Sequence, residues 1–104
     1  MYFHKDLHVT VSRAKVQPGK EQDYLAFRRD EILPQMCAWP GCIYSILLRD
    51  TAKENSWLLI NAWQTNADLE KWQATPAEAA LRAKARTILD GPLESVGAFT
   101  EVHL

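Results

Sequence analysis

Cysteine, histidine and glycine are scarce in this sequence, and each scarcity closes a class of function. The 104 residues include two cysteines, three histidines and four glycines. Cys37 and Cys42 bracket Ala38-Trp39-Pro40-Gly41, a spacing that is not C-x-x-C, and no histidine lies nearby to complete a zinc set. They read as two small, partly buried thiols in a reducing compartment. The chain has no glycine-rich loop to cradle a phosphate. Charge of one sign is lacking too: twelve basic and thirteen acidic residues give a net charge of -1, so no domain-wide basic field awaits nucleic acid. The longest apolar stretches, such as Ile43–Leu48 and Trp57–Ile60, are far too short to span a bilayer. Met1-Tyr2-Phe3-His4-Lys5-Asp6 contains no apolar core of a secretory signal. The expectation is a soluble cytoplasmic protein without a nucleic-acid or membrane partner.

Apolar residues are plentiful by contrast. At 47% hydrophobic and 24% charged, the chain has enough apolar surface to offset the entropy of ordering, and its length predicts one domain over residues 1–104. Leu7–Val16 alternates, with Leu7, Val9 and Val11 opposing His8, Thr10 and Ser12, which predicts a strand. Pro18-Gly19 breaks it. Lys20 to about Met36 predicts a helix, with Glu21 and Asp23 in the first turn where the macrodipole favours them. Leu25, Ile32 and Met36 share one face, flanked by Tyr24 and Leu33, and Pro34 kinks or ends the helix. Cys42–Arg49 and Trp57–Gln64 predict two strands joined by the polar stretch from Asp50 to Ser56. Tyr44, Ile46 and Leu48 oppose Ile43 and Leu47, while Trp57, Leu59 and Trp63 oppose Leu58, Ile60 and Ala62. A helix carrying Leu69 and Trp72 starts at Thr65 or Asn66. It restarts at Thr75-Pro76-Ala77-Glu78, where Thr75 caps, Pro76 suits the first helical position and Glu78 completes a capping box. Ala77, Leu81, Ala85 and Ile88 form its inner face. Asp90-Gly91-Pro92 stops it, and Glu94 to Leu104 predicts a last strand.

The order β-α-β-β-α-β predicts an α+β, ferredoxin-like domain: one four-stranded antiparallel sheet with its helices on one face. The middle strands are apolar on both sides, where a sheet with one solvated face would alternate cleanly. The bare face therefore predicts a homodimer stacked sheet on sheet, with Leu58, Ile60 and Ala62 meeting the partner.

Several segments in sequence carry a resemblance. Val16-Gln17-Pro18-Gly19-Lys20 precedes the first helix, Trp39-Pro40-Gly41-Cys42 the second strand, and Leu48-Arg49-Asp50 marks the hairpin. Trp57 through Trp63 and Trp63-Gln64-Thr65-Asn66-Ala67-Asp68-Leu69-Glu70-Lys71-Trp72 follow. In their order and spacing they resemble the antibiotic biosynthesis monooxygenase-like family of dimeric α+β barrels. The heme-degrading branch of that family uses an Asn on the first strand, a Trp on the second helix and a His ten residues later. Here those positions fall on Ser12, Trp72 and Arg82. An arginine stays protonated and does not ligate iron, so that mechanism is not expected. The polyketide-oxygenase branch uses no metal or flavin and places an Asn and a Trp on one face of the third strand. The resemblance carries these roles to Asn61 and Trp63, two residues apart rather than at the family's usual separation, hence on one face.

The implied function is a cofactor-independent monooxygenase acting on a small planar aromatic or quinol-like compound with dioxygen, without metal, flavin or heme. The alternatives are a non-catalytic ligand-binding member of the fold and a heme binder with an altered site. Asn61, Trp63 and Trp72 are the candidate catalytic residues, in a cavity between sheet and helices that Ser12 also lines. Candidate substrate-binding residues are Ser12, His8, Tyr44 and Arg28. Each has a plainer reading. Asn61 serves as a structural hydrogen-bonding group, the tryptophans and Tyr44 pack, His8 is solvated at a strand end, and Arg28 snorkels instead of meeting an anionic substrate.

Overall fold

The computed structural model describes residues 6–102. His4, His103 and the predicted strand end at Leu104 lie outside that range; within it the last strand stops at Thr100, so Glu101 and Val102 are not part of it. The described elements follow the predicted order: β1 (His8–Lys15), α1 (Glu21–Phe27), a π-helical turn (Arg28–Ile32), α2 (Leu33–Met36), β2 (Cys42–Arg49), β3 (Ser56–Trp63), α3 (Asn66–Gln73), α4 (Pro76–Ala85) and β4 (Glu94–Thr100). The sheet runs β2-β3-β1-β4 and is antiparallel throughout, the ferredoxin-like arrangement. No helix among the described residues is long and apolar enough to cross a membrane.

The first predicted helix is one rod in three parts. The Leu33 amide donates to the Arg28 carbonyl, five residues back, just before Pro34. Proline lacks the N–H that would reach Asp30 and its ring crowds that carbonyl, so the turn ahead of it widens and the helix continues to Met36. This corrects the expected inner face. Tyr24, Phe27, Arg28 and Met36 are buried, whereas Leu25, Ile32 and Leu33 sit half-buried at the flanks. The extra residue in the wide turn rotates the helix past the simple 3.6-residue spacing.

Thr65 and Thr75 cap α3 and α4, accepting from the Asp68 and Glu78 amides at 3.1 Å each. The Glu78 carboxylate pairs with Arg82 at 2.5 Å rather than reaching back to close a capping box. Ala77, expected on the inner face of α4, is exposed, while Leu81 and Ile88 are buried. Gly41 has φ +92°, and a Cβ there would collide with the Asp68 side chain. The turn before β2 therefore lies tight against α3, and Trp39 in that turn packs on Trp72 with ring centroids 5.7 Å apart.

Two apolar layers flank the sheet. On the helix side Ala14, Trp57, Leu59 and Trp63 pack with Tyr24, Phe27, Met36, Trp72, Leu81 and Ile88. On the other side Leu7, Val9 and Ala62 gather Val11, Ile43, Tyr44 and Ile60. Ile43 thus shares a face with Tyr44, contrary to alternation, because the pairing of β2 with β3 shifts between Cys42 and Tyr44. Ile46, Leu48 and Phe99 on β2 and β4 remain 43%, 46% and 51% exposed. Ile46 and Leu48 pair with Ile60 and Leu58, extending the uncovered apolar face.

Candidate functional site

Strand register decides which polar residues share the helix side. Trp63, Asn61, Leu59 and Trp57 of β3 stand opposite His8, Thr10, Ser12 and Ala14 of β1. Directly paired residues point to the same face. His8, Thr10, Ser12 and Asn61 therefore form a polar file beside the Trp63 ring, all four half-buried. Thr10, not Ser12, lies directly across from Asn61. On β4, Thr100 pairs with His8 and Ala98 with Thr10, and both are exposed. On this face β4 is thus exposed beside the half-buried His8–Ser12 end of β1, an open shelf at the β1–β4 edge, while Ala14 further along β1 is buried in the helix layer.

Arg28 enters from above, carried inward by the π-helical turn. Such turns recur at functional positions because they re-aim a side chain. It is only 4% exposed, so it does not snorkel. Its Nη2 donates to Ser45 Oγ at 2.9 Å, and Ser45 Oγ donates to Asn61 Oδ1 at 2.5 Å. Its Nε is buried without a hydrogen-bond partner. No carboxylate among the described residues forms an ion pair with it. Burial holds the guanidinium pKa below its ordinary value, opposed by the nearby Tyr24 and Cys37. Burial likewise raises the Tyr24 phenol, against the pull of Arg28. A charged group in this setting costs stability unless it is matched. Trp57 and Trp63 add two further buried orphan donors, their Nε1 atoms, on the same side of the sheet.

The predicted site residues divide between the two faces. Asn61, Trp63, Ser12, His8 and Arg28 share the helix side, and Trp72 on α3 joins the same apolar layer. Tyr44 lies on the opposite face, packed with Leu7, Val9 and Ala62, and donates its hydroxyl to Glu101 Oε1 at 3.1 Å. Trp57, read as packing, is buried with the Arg49 guanidinium 4.7 Å from its ring centroid. The expected cavity walled by Ser12, Asn61, Trp63 and Trp72 coincides with neither of two open surface concavities. One, of about 200 Å³, lies among Arg13, Lys15, Pro18, Lys53, Asn55 and Asp90. The other lies against the hairpin loop from Arg49 to Asn55. Both lie toward the Lys15 end of β1, whereas the Trp63, Tyr24 and Trp72 rings fill the layer near Asn61.

Ser45, Thr10 and Tyr24 were not among the sequence-selected site residues. Ser45 had a readable signal: like Asn61, it is a polar residue inside an apolar strand, and the hairpin register pairs the two. No three His, Cys, Asp or Glu side chains gather to hold a metal ion among the described residues. The Cys42 thiol is pushed up to about 11, chiefly by burial and further by the neighbouring Cys37.

The fold recurs in solved structures. SnoaB, a cofactor-independent oxygenase from Streptomyces nogalater, superposes with a TM-score of 0.78 at 23% identity, covering 95% of this chain and 96% of its own. A protein of unknown function from Nitrosomonas europaea superposes with a TM-score of 0.79 at 20% identity, covering 98% of this chain and 95% of its own. An uncharacterized protein of Synechocystis is 29% identical over 86 residues, 83% of this chain but 58% of that relative's length. The chain thus spans little more than half of the curated relative it matches. The family model for antibiotic biosynthesis monooxygenases matches residues 8–84. That match takes in β1 through most of α4, including every element that carries the Arg28–Ser45–Asn61 chain, and the protein belongs to the antibiotic biosynthesis monooxygenase family.

Proposed function

We propose that the protein is a homodimeric, cofactor-independent monooxygenase acting on a small planar aromatic or quinol-like compound. The observation that carries this reading is the Arg28–Ser45–Asn61 chain, a run of donors and one unmatched positive charge set into a tryptophan-rich layer. Family membership and the fold shared with the cofactor-independent oxygenase SnoaB support the reaction class.

In this chemistry the substrate supplies the electrons. Loss of a proton from an activated ring position leaves a carbanion delocalised onto a neighbouring oxygen, and that anion passes an electron to dioxygen. Recombination forms a carbon–oxygen bond. Loss of water then leaves a new carbonyl, so one oxygen atom enters the product and the other departs as water. The protein's contribution is an apolar wall, from Trp63 and Trp72, and donors that hold the anionic oxygen, from Asn61 with Arg28 behind it. In this reading His8, on the same face, serves as the proton acceptor. Ser12 and Thr10 line the shelf by which the substrate approaches.

The uncovered apolar face, with Ile46, Leu48 and Phe99 about half exposed, supports a second copy packed sheet on sheet. The test is oxygen uptake by the purified protein with anthrones, quinols and hemin offered separately. Uptake with an anthrone or quinol and no hemin breakdown supports the oxygenase. Saturable binding with no uptake favours the non-catalytic ligand-binding reading, and hemin breakdown overturns both.

A further inference from the structure

The Arg28–Ser45–Asn61 chain has a direction, and that direction determines what Asn61 presents to a ligand. Arginine only donates, so Ser45 Oγ receives the Arg28 Nη2 proton on one lone pair and turns its own proton elsewhere. That proton goes to Asn61 Oδ1. The amide oxygen is thereby occupied, and Nδ2 makes no hydrogen bond among the described residues. Asn61 is half-buried and lies across from Thr10, whose neighbour on β4, Ala98, is exposed. Behind it stands a guanidinium 4% exposed, with an orphaned Nε and no carboxylate partner among the described residues.

We propose that Arg28 and Ser45 are positioning residues that lock Asn61 with its Nδ2 donor toward the β1–β4 shelf, and that the unmatched Arg28 charge selects a ligand whose oxygen is anionic, a phenolate or enolate. Its consequence for turnover rests on the oxygenase reading; its consequence for binding does not. A donor-only amide in front of a buried cation repels a second donor and leaves a neutral ring with nothing to gain from the charge. An anionic oxygen accepts from Nδ2 and offsets the buried cation at once. Hydrogen bonds with one charged partner are roughly twice as strong as neutral ones.

The test compares 4-nitrophenolate with 4-nitroanisole, the same ring without an ionisable oxygen, by equilibrium dialysis at a pH where the phenol is ionised. Wild type is expected to prefer the phenolate by about tenfold or more. Arg28→Met removes the preference, and Arg28→Lys restores part of it. Ser45→Ala lowers the preference while leaving nitroanisole affinity unchanged, and Ser45→Thr rescues it; a purely structural role for Ser45 would not move this ratio. If Ser45→Ala does not fold, Ser45→Cys keeps the shape and weakens the donor. Equal affinity for the two probes, binding of neither, or a preference that survives Arg28→Met overturns the proposal. Phenolate preference without oxygen uptake from any substrate supports the relay and counts against the oxygenase, so the two failures are distinguishable.

Discussion

Replacing Arg28 by methionine should make the protein more stable, the reverse of the usual outcome at a buried position. The side chain is 4% exposed and the one hydrogen bond it makes among the described residues runs from Nη2 to Ser45. Removing that charge-assisted bond forfeits about 1.5–3 kcal/mol. Against it, Nε no longer sits buried without a partner, which returns about 1–3 kcal/mol. The cost of keeping an unmatched ion out of water also disappears, and that is several kcal/mol even after relaxation. Methionine fills most of the volume of the arginine stem, so little cavity penalty is added. The balance is a gain of about 1–4 kcal/mol, and each kcal/mol raises the midpoint of a domain this size by about 4–8 °C. Urea and thermal unfolding of both proteins at one protomer concentration measure it, since dimerisation shifts apparent stability. A residue retained against stability is the mark of a functional site. If Arg28→Met is destabilised by more than about 2 kcal/mol, the guanidinium is a structural member of the core and the site loses its central charge.

Three further outcomes follow from the same geometry. Asn61→Ala removes one preorganised donor and should lower turnover by about 10²–10³ while the protein stays folded, as read by steady-state oxygen uptake beside circular dichroism; unchanged specific activity would make Asn61 structural. Ile60→Asp puts a charge in the middle of the uncovered sheet face and should give monomers in sedimentation at micromolar concentration, whereas an unaltered dimer would move the interface elsewhere. With its thiol raised to about 11, Cys42 binds its proton more tightly than an ordinary cysteine, so the thiolate forms only as pH climbs toward that value. Iodoacetamide mapped by mass spectrometry should label exposed Cys37 well before Cys42 at pH about 8, and equal labelling would contradict the burial.

The fold was legible because the patterns carrying it are local. Thr65 and Thr75 cap where a threonine before a helical run should, and β2 begins at Cys42 and ends at Arg49 as its composition predicts. Asn61 and Trp63 share a face simply because strands repeat every two residues. The burial of Arg28 was not legible, because its position depends on the π-helical turn before Pro34, where one added residue rotates the buried face. Tyr44 fell on the wrong side of the sheet for a pocket residue, and Ile43 on the unexpected one, at a shift in pairing that no periodicity announces. Ser45 gains its role only across a strand pair, from two polar positions that look unrelated until the hairpin brings them to 2.5 Å.

In the proposed reaction this chain, through its helix-side site, inserts oxygen using the substrate's own electrons. The most direct measurement supplies dioxygen carrying heavy oxygen to the purified protein with an anthrone and follows the label by mass spectrometry. One labelled oxygen is expected in the new carbonyl and the other in water, with incorporation falling in Asn61→Ala by the same factor as oxygen uptake. Product formed with unlabelled oxygen from water, or label entering at an undiminished rate in Asn61→Ala, contradicts it.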